Sequence, residues 1–428
     1  MNAHIAEYVS PGHPDRLADA IVESIVTLAV KRDPDALVGV ECAVHTDHVF
    51  IDGRIAAGRA ASPKAAACAV SSDEIEALAR RVYRDAGYGA DWMPAPENLK
   101  VIQNVCLEPL SDDERAIRDL SDDQNVVIGY ACNSPATDDL PPAHFVANFL
   151  GRKLWAWRQT VSDTFGPDFK VLVDLVHSEP RRDGAVRASV FHPSCDRLRG
   201  SLRAGDMCHR VSHNYEWHRL TISIQHRAGV FAAEQHERVL PVVRAALAEL
   251  ERRGLVGIAD LPLERFVLNG MGDFIVGGPE GDNGLSGKKL AVDFYGPEIS
   301  LGGGAICGKA PHKVDVAGAF RARELAVRLL KEQGGTAVTV RLGWTPGDAA
   351  PAYRAAERVD SLGISRPIPA SALPAEDWFS IRSIVSDLRL TEIDRVSRMR
   401  DGYLREPQPR KNNAPTCGKQ KNCVSFTP

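Results

Sequence analysis

The stretch Gly277-Gly-Pro-Glu-Gly-Asp-Asn-Gly-Leu-Ser-Gly-Lys-Lys289 is followed closely by Gly302-Gly-Gly-Ala-Ile-Cys-Gly-Lys309 and His312-Lys313-Val-Asp315. These pieces set many glycines beside four lysines, Lys288, Lys289, Lys309 and Lys313, and two aspartates, Asp282 and Asp315. Glycine lets backbone N–H groups approach an anion, lysine supplies a compact positive charge, and carboxylates hold a divalent cation. The combination reads as a cradle for a long polyphosphate with its magnesium. It is not a Walker loop, because no Gly-x-x-x-x-Gly-Lys-Ser/Thr occurs in the chain.

Around it, 428 residues predict two or three domains with ample apolar content for a core. A formal net charge of −4 points to neither nucleic acid nor an anionic membrane, so any attraction for anions is local. Nine scattered cysteines without a CxxC pair fit a reducing compartment better than a disulfide framework. The N-terminus lacks a basic region followed by an apolar run, and Ala18–Val30 is interrupted by Asp19 and Glu23. A cytoplasmic protein is the expectation.

Pro14 suits the first position of a helix, and Leu17, Ile21, Ile25 and Leu28 follow at helical spacing. Leu37–Thr46 alternates as a half-buried strand, and Asp52-Gly53 signals a hairpin turn pairing residues 49–52 with 54–58. Ser71-x-x-Glu74 is a capping box opening a helix that runs to Gly87. Strands are predicted over Leu99–Glu108, Val126–Cys132, Phe169–Val176, Leu220–Gln225 and Thr336–Trp344, with a second hairpin at Arg182–Gly184. Helices are predicted over Pro142–Val161, Glu234–Arg253, Val314–Gln333 and Trp378–Leu388. Residues 109–125 read as a mobile lid or disordered insert, 192–218 as a polar insert and 405–428 as a loose basic tail. The fold class is α+β, layered sheets and helices, with a recurring helix-then-hairpin unit but no repeat by residue identity.

His13-Pro14-Asp15 and His312-Lys313-Val314-Asp315 each put an aspartate in the first turn of a predicted helix, beside a basic residue. Either aspartate alone reads as an ordinary helix N-terminal charge. The pair, beside the glycine-lysine region, reads as a magnesium–polyphosphate site if the two helix starts converge.

From about Val9 to Leu330 the chain resembles the S-adenosylmethionine synthetase family, also called methionine adenosyltransferases. The anchors are Gly12-His-Pro-Asp15, Glu41, Asp123-Gln124 with Gly129-Tyr-Ala131, Pro167-Asp168-x-Lys170, Gln225-His226 and the block from Gly277 to Asp315. The resemblance implies three similar α/β domains, each a sheet covered by helices. Approximate interleaved bounds are 1–13 with 130–240, 14–129, and 241–404. It implies a homodimer or dimer of dimers with active sites shared across the interface. It also implies attack by the sulfur of methionine, a thioether amino acid, on C5′ of ATP. The expelled triphosphate is hydrolysed to pyrophosphate and phosphate, with two Mg2+ and one K+ assisting.

Carried over, His13, Lys289, Lys309 and Lys313 would hold the triphosphate, and Asp15 and Asp315 would ligate magnesium. Glu41 would ligate potassium. Asp168, Lys170, Phe274, Asp282, Lys288 and Gly303 would line the nucleotide site. Asp282, Asp123, Lys313 and Arg54 would face the amino acid.

Departures gather at the amino-acid end. Arg54 stands where the family has a glutamate, and an arginine there would repel an ammonium and attract a carboxylate. No clear match exists for the family's methionine-contacting glutamine. Asn269-Gly-Met-Gly-Asp273-Phe274 loses an arginine, Ala310 and Pro11 replace acidic residues, and the family's C-terminal ending is absent. The leading expectation is a methionine adenosyltransferase that retains ATP activation; the alternative is the same ATP chemistry with an amino acid other than methionine, whose extra or displaced carboxylate would suit Arg54. The counter-reading has Arg54 turned away and another acid in its place. An ATP or tripolyphosphate hydrolase and a non-catalytic regulatory homologue are the rival classes. Cys195, Cys208, His209 and His213 match no standard zinc spacing, so the insert reads as a polar surface excursion.

Overall fold

The computed structural model describes residues 3–59, 67–178 and 214–405. The hairpin expected at Arg182–Gly184, the residues Cys195, Cys208, His209 and His213, and the chain beyond 405 lie outside the described residues.

The chain makes three passes of similar make-up, the third with its last strand ahead of its last helix. The first pass is β1 (Ala3–Val9), α1 (Pro14–Arg32), the paired β2 (Leu37–His45) and β3 (His48–Ala56), α2 (Ser72–Ala86) and β4 (Lys100–Glu108). After a single turn of helix, α3 (Asp112–Ala116), the second pass is β5 (Asn125–Cys132), α4 (Pro142–Gln159), paired β6 (Phe165–Ser178) and β7 (Asn214–His226), α5 (Ala232–Arg252) and β8 (Phe266–Leu268). The third is β9 (Gly284–Leu285), short α6 (Leu290–Asp293), α7 (Val314–Gln333), paired β10 (Ala337–Trp344) and β11 (Tyr353–Val359), β12 (Ser365–Pro367) and α8 (Ile381–Asp387). The helix α9 (Arg395–Asp401) follows.

Three four-stranded sheets result, ordered β1-β6-β7-β8, β12-β11-β10-β5 and β4-β3-β2-β9. The leading strand of each pass joins the sheet of another pass: β1 pairs with β6, β5 with β10, and β9 with β2. No contiguous span of chain therefore coincides with one sheet. Helix α4 covers the first of these sheets, α7 the second and α1 the third, with α5 packed on α4, α8 on α7 and α2 on α1.

Helix α1 begins with His13 as N-cap and ends with Lys31 and Arg32 in its last turn. Leu17, Ile21 and Ile25 are fully buried, each contributing about 1.5–3 kcal/mol. The opposite face, Asp15, Arg16, Asp19 and Glu23, is buried as well. Carboxylates without water need partners, and these partners build the site below.

The expected Asp52-Gly53 turn is a misreading. β3 runs straight through both residues, and the turn falls at Thr46-Asp47, where Thr46 has φ 50°. Gly53, at φ 117°, is there for close approach: a Cβ on it would stand 2.2 Å from the Gly39 carbonyl oxygen. The helix expected from Trp378 starts later, where the Ser380 side chain caps it by accepting the Ser383 N–H. Residues 109–125 contain α3, opened by a capping box between Ser111 and Glu114. No described helix is long and apolar enough to cross a membrane.

Candidate active site

The glycine-lysine stretch lies along one edge of β2. Gly284 and Leu285 pair with Val44 and Ala43. Further along, Ser286 N–H donates to Cys42 O at 2.9 Å, Val40 N–H to Gly308 O at 2.9 Å, and Ala310 N–H to Val38 O at 2.9 Å. Lys309 bridges Gly39. The strand edge is thereby closed by the residues that carry the lysines. Glycine is required for this fit, because a Cβ on Gly284 would stand 2.2 Å from the Pro14 carbonyl, and one on Gly308 2.2 Å from Val40 O.

At the start of α1, His13 Nδ1 accepts the Asp15 N–H at 3.2 Å. Asp15 Oδ1 accepts the Leu285 N–H at 3.0 Å, and its Oδ2 lies 2.9 Å from Lys289 Nζ. Lys288 Nζ is 3.6 Å from Asp15 Oδ1. Burial pushes the Asp15 pKa up, but Lys289 and the Leu285 N–H outweigh it and hold it below the usual carboxylate value. Burial, reinforced by Lys170, lowers the His13 pKa to about 3, so the ring is neutral. Lys170 is exposed on β6, opposite Val9.

Asp168 Oδ2 accepts the Gly278 N–H at 2.8 Å. Burial raises its pKa to about 6; Gly278 N–H opposes the shift, while Asp282 and Asp15 add to it. Its Oδ1 makes no hydrogen bond among the described residues. Phe274, half-buried, is fixed through its backbone: its N–H donates to His226 Nε2 and its carbonyl accepts the His226 N–H. Asp282 is exposed, its Oδ1 accepting the Asn283 N–H.

At the start of α7, Lys309 Nζ is 2.6 Å from Asp315 Oδ1. Gly304 packs directly on this pair, since a Cβ would stand 1.8 Å from Asp315 Oδ1 and 3.0 Å from Lys309 Nζ. Lys313 Nζ is 2.6 Å from Asp122 Oδ2, a residue of the 109–125 segment. Gly303 N–H donates to Val126 O at 2.8 Å.

The structure thus gathers the expected residues into two clusters rather than one. Among the described residues no hydrogen bond or ion pair joins Asp15 and Lys289 to Asp315 and Lys309. They meet the β2 edge at Ala43 and at Gly39, about 13 Å apart along the strand. No set of three or more His, Cys, Asp or Glu placed to hold a metal occurs among the described residues. The single carboxylate of each cluster, Asp15 or Asp315, is a donor that magnesium accepts, since it takes one or two carboxylates and leaves its remaining positions to phosphate oxygens and water.

Two further expected residues lie on the face of the β4-β3-β2-β9 sheet away from α1. Glu41 is exposed opposite Asp52, and Arg54 stands opposite Gly39 in the next row. Arg54 is not free: its Nη2 lies 3.0 Å from Glu108 Oε2 and 2.7 Å from Glu114 Oε1 of α3. Asp123 turns its Oδ1 to its neighbour's N–H, that of Gln124. Sequence reasoning missed Asp122, next to the named Asp123, and the buried charges of α1. The signal for the latter was available: Asp15, Asp19 and Glu23 recur every four residues in an otherwise apolar helix.

Residues 2–106 match the family model described as "S-adenosylmethionine synthetase, N-terminal domain", and residues 276–402 match "S-adenosylmethionine synthetase, C-terminal domain". The S-adenosylmethionine synthase of Hyphomonas neptunium is 31% identical over 354 residues, covering 81% of this chain and 78% of the relative. That of Maricaulis maris is 31% identical over 352 residues with the same coverage. A solved structure, described as that of an unusual S-adenosylmethionine synthetase from Campylobacter jejuni, superposes with a TM-score of 0.72 over 95% of each chain. At 20% identity it speaks for the fold alone.

Proposed function

The chain belongs to the S-adenosylmethionine synthetase family, and from that premise we propose that it joins the adenosyl group of ATP to methionine. The observation that carries the reading is the loop from Gly284 to Lys309, which gives each of two lysines to a carboxylate in the first turn of a helix. In the reaction the methionine sulfur forms a bond to C5′ as the C5′–O5′ bond breaks. The electron pair leaves with the triphosphate, which is hydrolysed to pyrophosphate and phosphate. Such a displacement needs alignment and charge stabilisation more than acid–base help.

In this reading Lys289 and Lys309 leave Asp15 and Asp315 for phosphate oxygens, and the two carboxylates turn to magnesium. Lys313 leaves Asp122 for the same chain of phosphates. His13, neutral, contributes a hydrogen bond rather than a charge. The Asp168 oxygen left without a partner, with Lys170, Phe274, Lys288 and Gly303, receives the nucleotide. Asp282 and Asp123 meet the amino acid, and Glu41 a potassium ion. A second copy brings the two clusters into complete sites, docking on the sheet face where Phe50 and Ile102 are nearly half exposed beside Glu41. The described cysteines are all free, which suits the cytoplasm.

A plain thioether amino acid is favoured over one with an extra carboxylate. The positive charge of Arg54 is met by both Glu108 and Glu114, so its surroundings do not attract a second carboxylate. Mass spectrometry of products from ATP, Mg2+, K+ and a panel of thioether amino acids tests this. A methionine sulfonium adduct is expected, with phosphate and pyrophosphate. Phosphate release from ATP that ignores every amino acid would make the protein a hydrolase instead.

A further inference from the structure

Tyr88 follows α2 and reaches the head of α1. Gly87 closes α2 in the left-handed region, at φ 92°, and Tyr88 N–H donates to Tyr83 O at 3.0 Å. A Cβ on Gly87 would stand 2.4 Å from Arg158 Nη1, so no side chain fits at that bend. The Tyr88 ring is turned into the core, 5.5 Å from the Tyr83 ring and almost completely buried. A buried hydroxyl needs a partner, and Tyr88 Oη donates to Gly12 O at 2.6 Å. Gly12 leads directly into His13 and Asp15.

The same hydroxyl supports the turn that carries Gly278. A Cβ on Gly278, itself at φ 63°, would stand 2.0 Å from Tyr88 Oη. Gly278 N–H holds Asp168 Oδ2, which leaves Asp168 Oδ1 as the oxygen without a partner among the described residues. The backbone on either side of Asp168 is fixed from elsewhere. Ser10 Oγ donates to Pro167 O at 2.8 Å and accepts the Phe169 N–H at 2.9 Å. What Gly278 decides is therefore the direction of the carboxylate, and what Tyr88 decides is where Gly278 lies relative to Gly12. Burial, with Asp168 next, holds the Tyr88 phenol well above its ordinary pKa, so the hydroxyl keeps its proton and stays a donor.

We propose that Tyr88 is a positioning residue for the nucleotide: its hydroxyl sets the spacing between the Gly12 peptide, which leads into His13 and Asp15, and the Asp168 carboxylate. This rests on the reading of that cluster as an ATP site. Both ends belong to one cluster of one chain, whatever a second copy adds to it. A ligand with its phosphates at the head of α1 and its nucleoside at Asp168 spans the spacing. Inorganic tripolyphosphate, which meets only the first end, does not.

The test is titration calorimetry of the full chain with Mg2+ and two probes, the β,γ-imido analogue of ATP and inorganic tripolyphosphate. Tyr88→Phe keeps the ring and removes the hydroxyl. It is expected to weaken binding of the ATP analogue about five- to tenfold, and that of tripolyphosphate less than about twofold. Tyr83→Phe removes a buried hydroxyl that makes no hydrogen bond among the described residues, and should leave both affinities at the parent's values. An unchanged affinity of Tyr88→Phe for the ATP analogue overturns the proposal. So does an equal loss for both probes, which a merely loosened fold would give, or the same split in Tyr83→Phe.

If Tyr88→Phe does not fold, Gly278→Ala presses a methyl on the same hydroxyl and should split the two probes in the same way. No split there overturns the proposal equally. Failure of the unaltered chain to bind the ATP analogue would remove the ATP reading itself, and the positioning role with it.

Discussion

Lys313 Nζ and Asp122 Oδ2 are 2.6 Å apart, so the lysine that heads α7 is held by the 109–125 segment. Both side chains are partly exposed, and such a pair contributes at most about 1 kcal/mol. Asp122→Asn therefore releases Lys313 at small cost to folding. Tripolyphosphate binding is expected to tighten about two- to fivefold, most clearly at low salt, and titration calorimetry reads it directly. Unchanged affinity at low salt would mean that Lys313 does not reach the phosphates.

Three buried histidines make the fold sensitive to acid. Burial, helped by neighbouring cations, lowers His13 to about 3 and both His144 and His312 to about 4. Each is neutral in the folded state, whereas an unfolded histidine takes up a proton below about 6.5. Their contribution is complete above that pH and is lost as pH falls toward the folded values. The slope is about 1.4 kcal/mol per pH unit for each. His144 lies outside the candidate site, so His144→Gln should flatten the dependence of urea unfolding on pH between about 6 and 4.5. A slope equal to the parent's would refute the assignment.

Asp168 has the opposite sign. Its pKa of about 6 exceeds the unfolded carboxyl value, so the folded state keeps a proton that the unfolded state gives up. Stability declines as pH rises from about 4 to about 6 and stays lower above it. Asp168→Asn is expected to gain up to about 3 kcal/mol at pH 7.5 and nothing near pH 4. The same change should weaken ATP binding, since the oxygen left without a partner is the one read as facing the nucleotide. Thermal melts at the two pH values, with and without ATP, separate the effects.

What was legible from the sequence follows the range of each interaction. Val314–Gln333 is a helix end to end as expected, because apolar spacing and the terminating Gly334 are local. The carboxylates at the heads of α1 and α7 were equally local. Asp52-Gly53 misled because a turn and a strand that must approach Gly39 closely both ask for glycine, and only the pairing of β2 with β3 decides. Strand β11 was missed because Arg354, Glu357 and Arg358 mask its pattern. The choice of lysine for each carboxylate, and of Glu108 and Glu114 for Arg54, joins residues distant in sequence. Nothing local encodes those choices.

Three glycines around the candidate site separate sterics from composition. Gly284 would bring a Cβ to 2.2 Å from the Pro14 carbonyl and 2.7 Å from the Asp15 nitrogen, all backbone atoms at the head of a buried helix. Neither element can retreat, so Gly284→Ala is expected to displace β9 and Lys289, lower the melting temperature and abolish turnover. Gly304 would meet Asp315 Oδ1 and Lys309 Nζ, the ends of side chains, which can swing aside. Gly304→Ala should therefore keep the fold but raise the Mg2+ concentration needed for half-maximal activity about tenfold, because the added methyl displaces the Asp315 carboxylate from where it would hold the ion. Gly39 lies between Arg54 and Lys309 with nothing within 4 Å of its missing Cβ, so Gly39→Ala should leave the melting temperature near the parent's. Melting curves and Mg2+ titrations on the three variants give the ranking; a Gly304→Ala protein with unaltered Mg2+ dependence would detach Asp315 from magnesium.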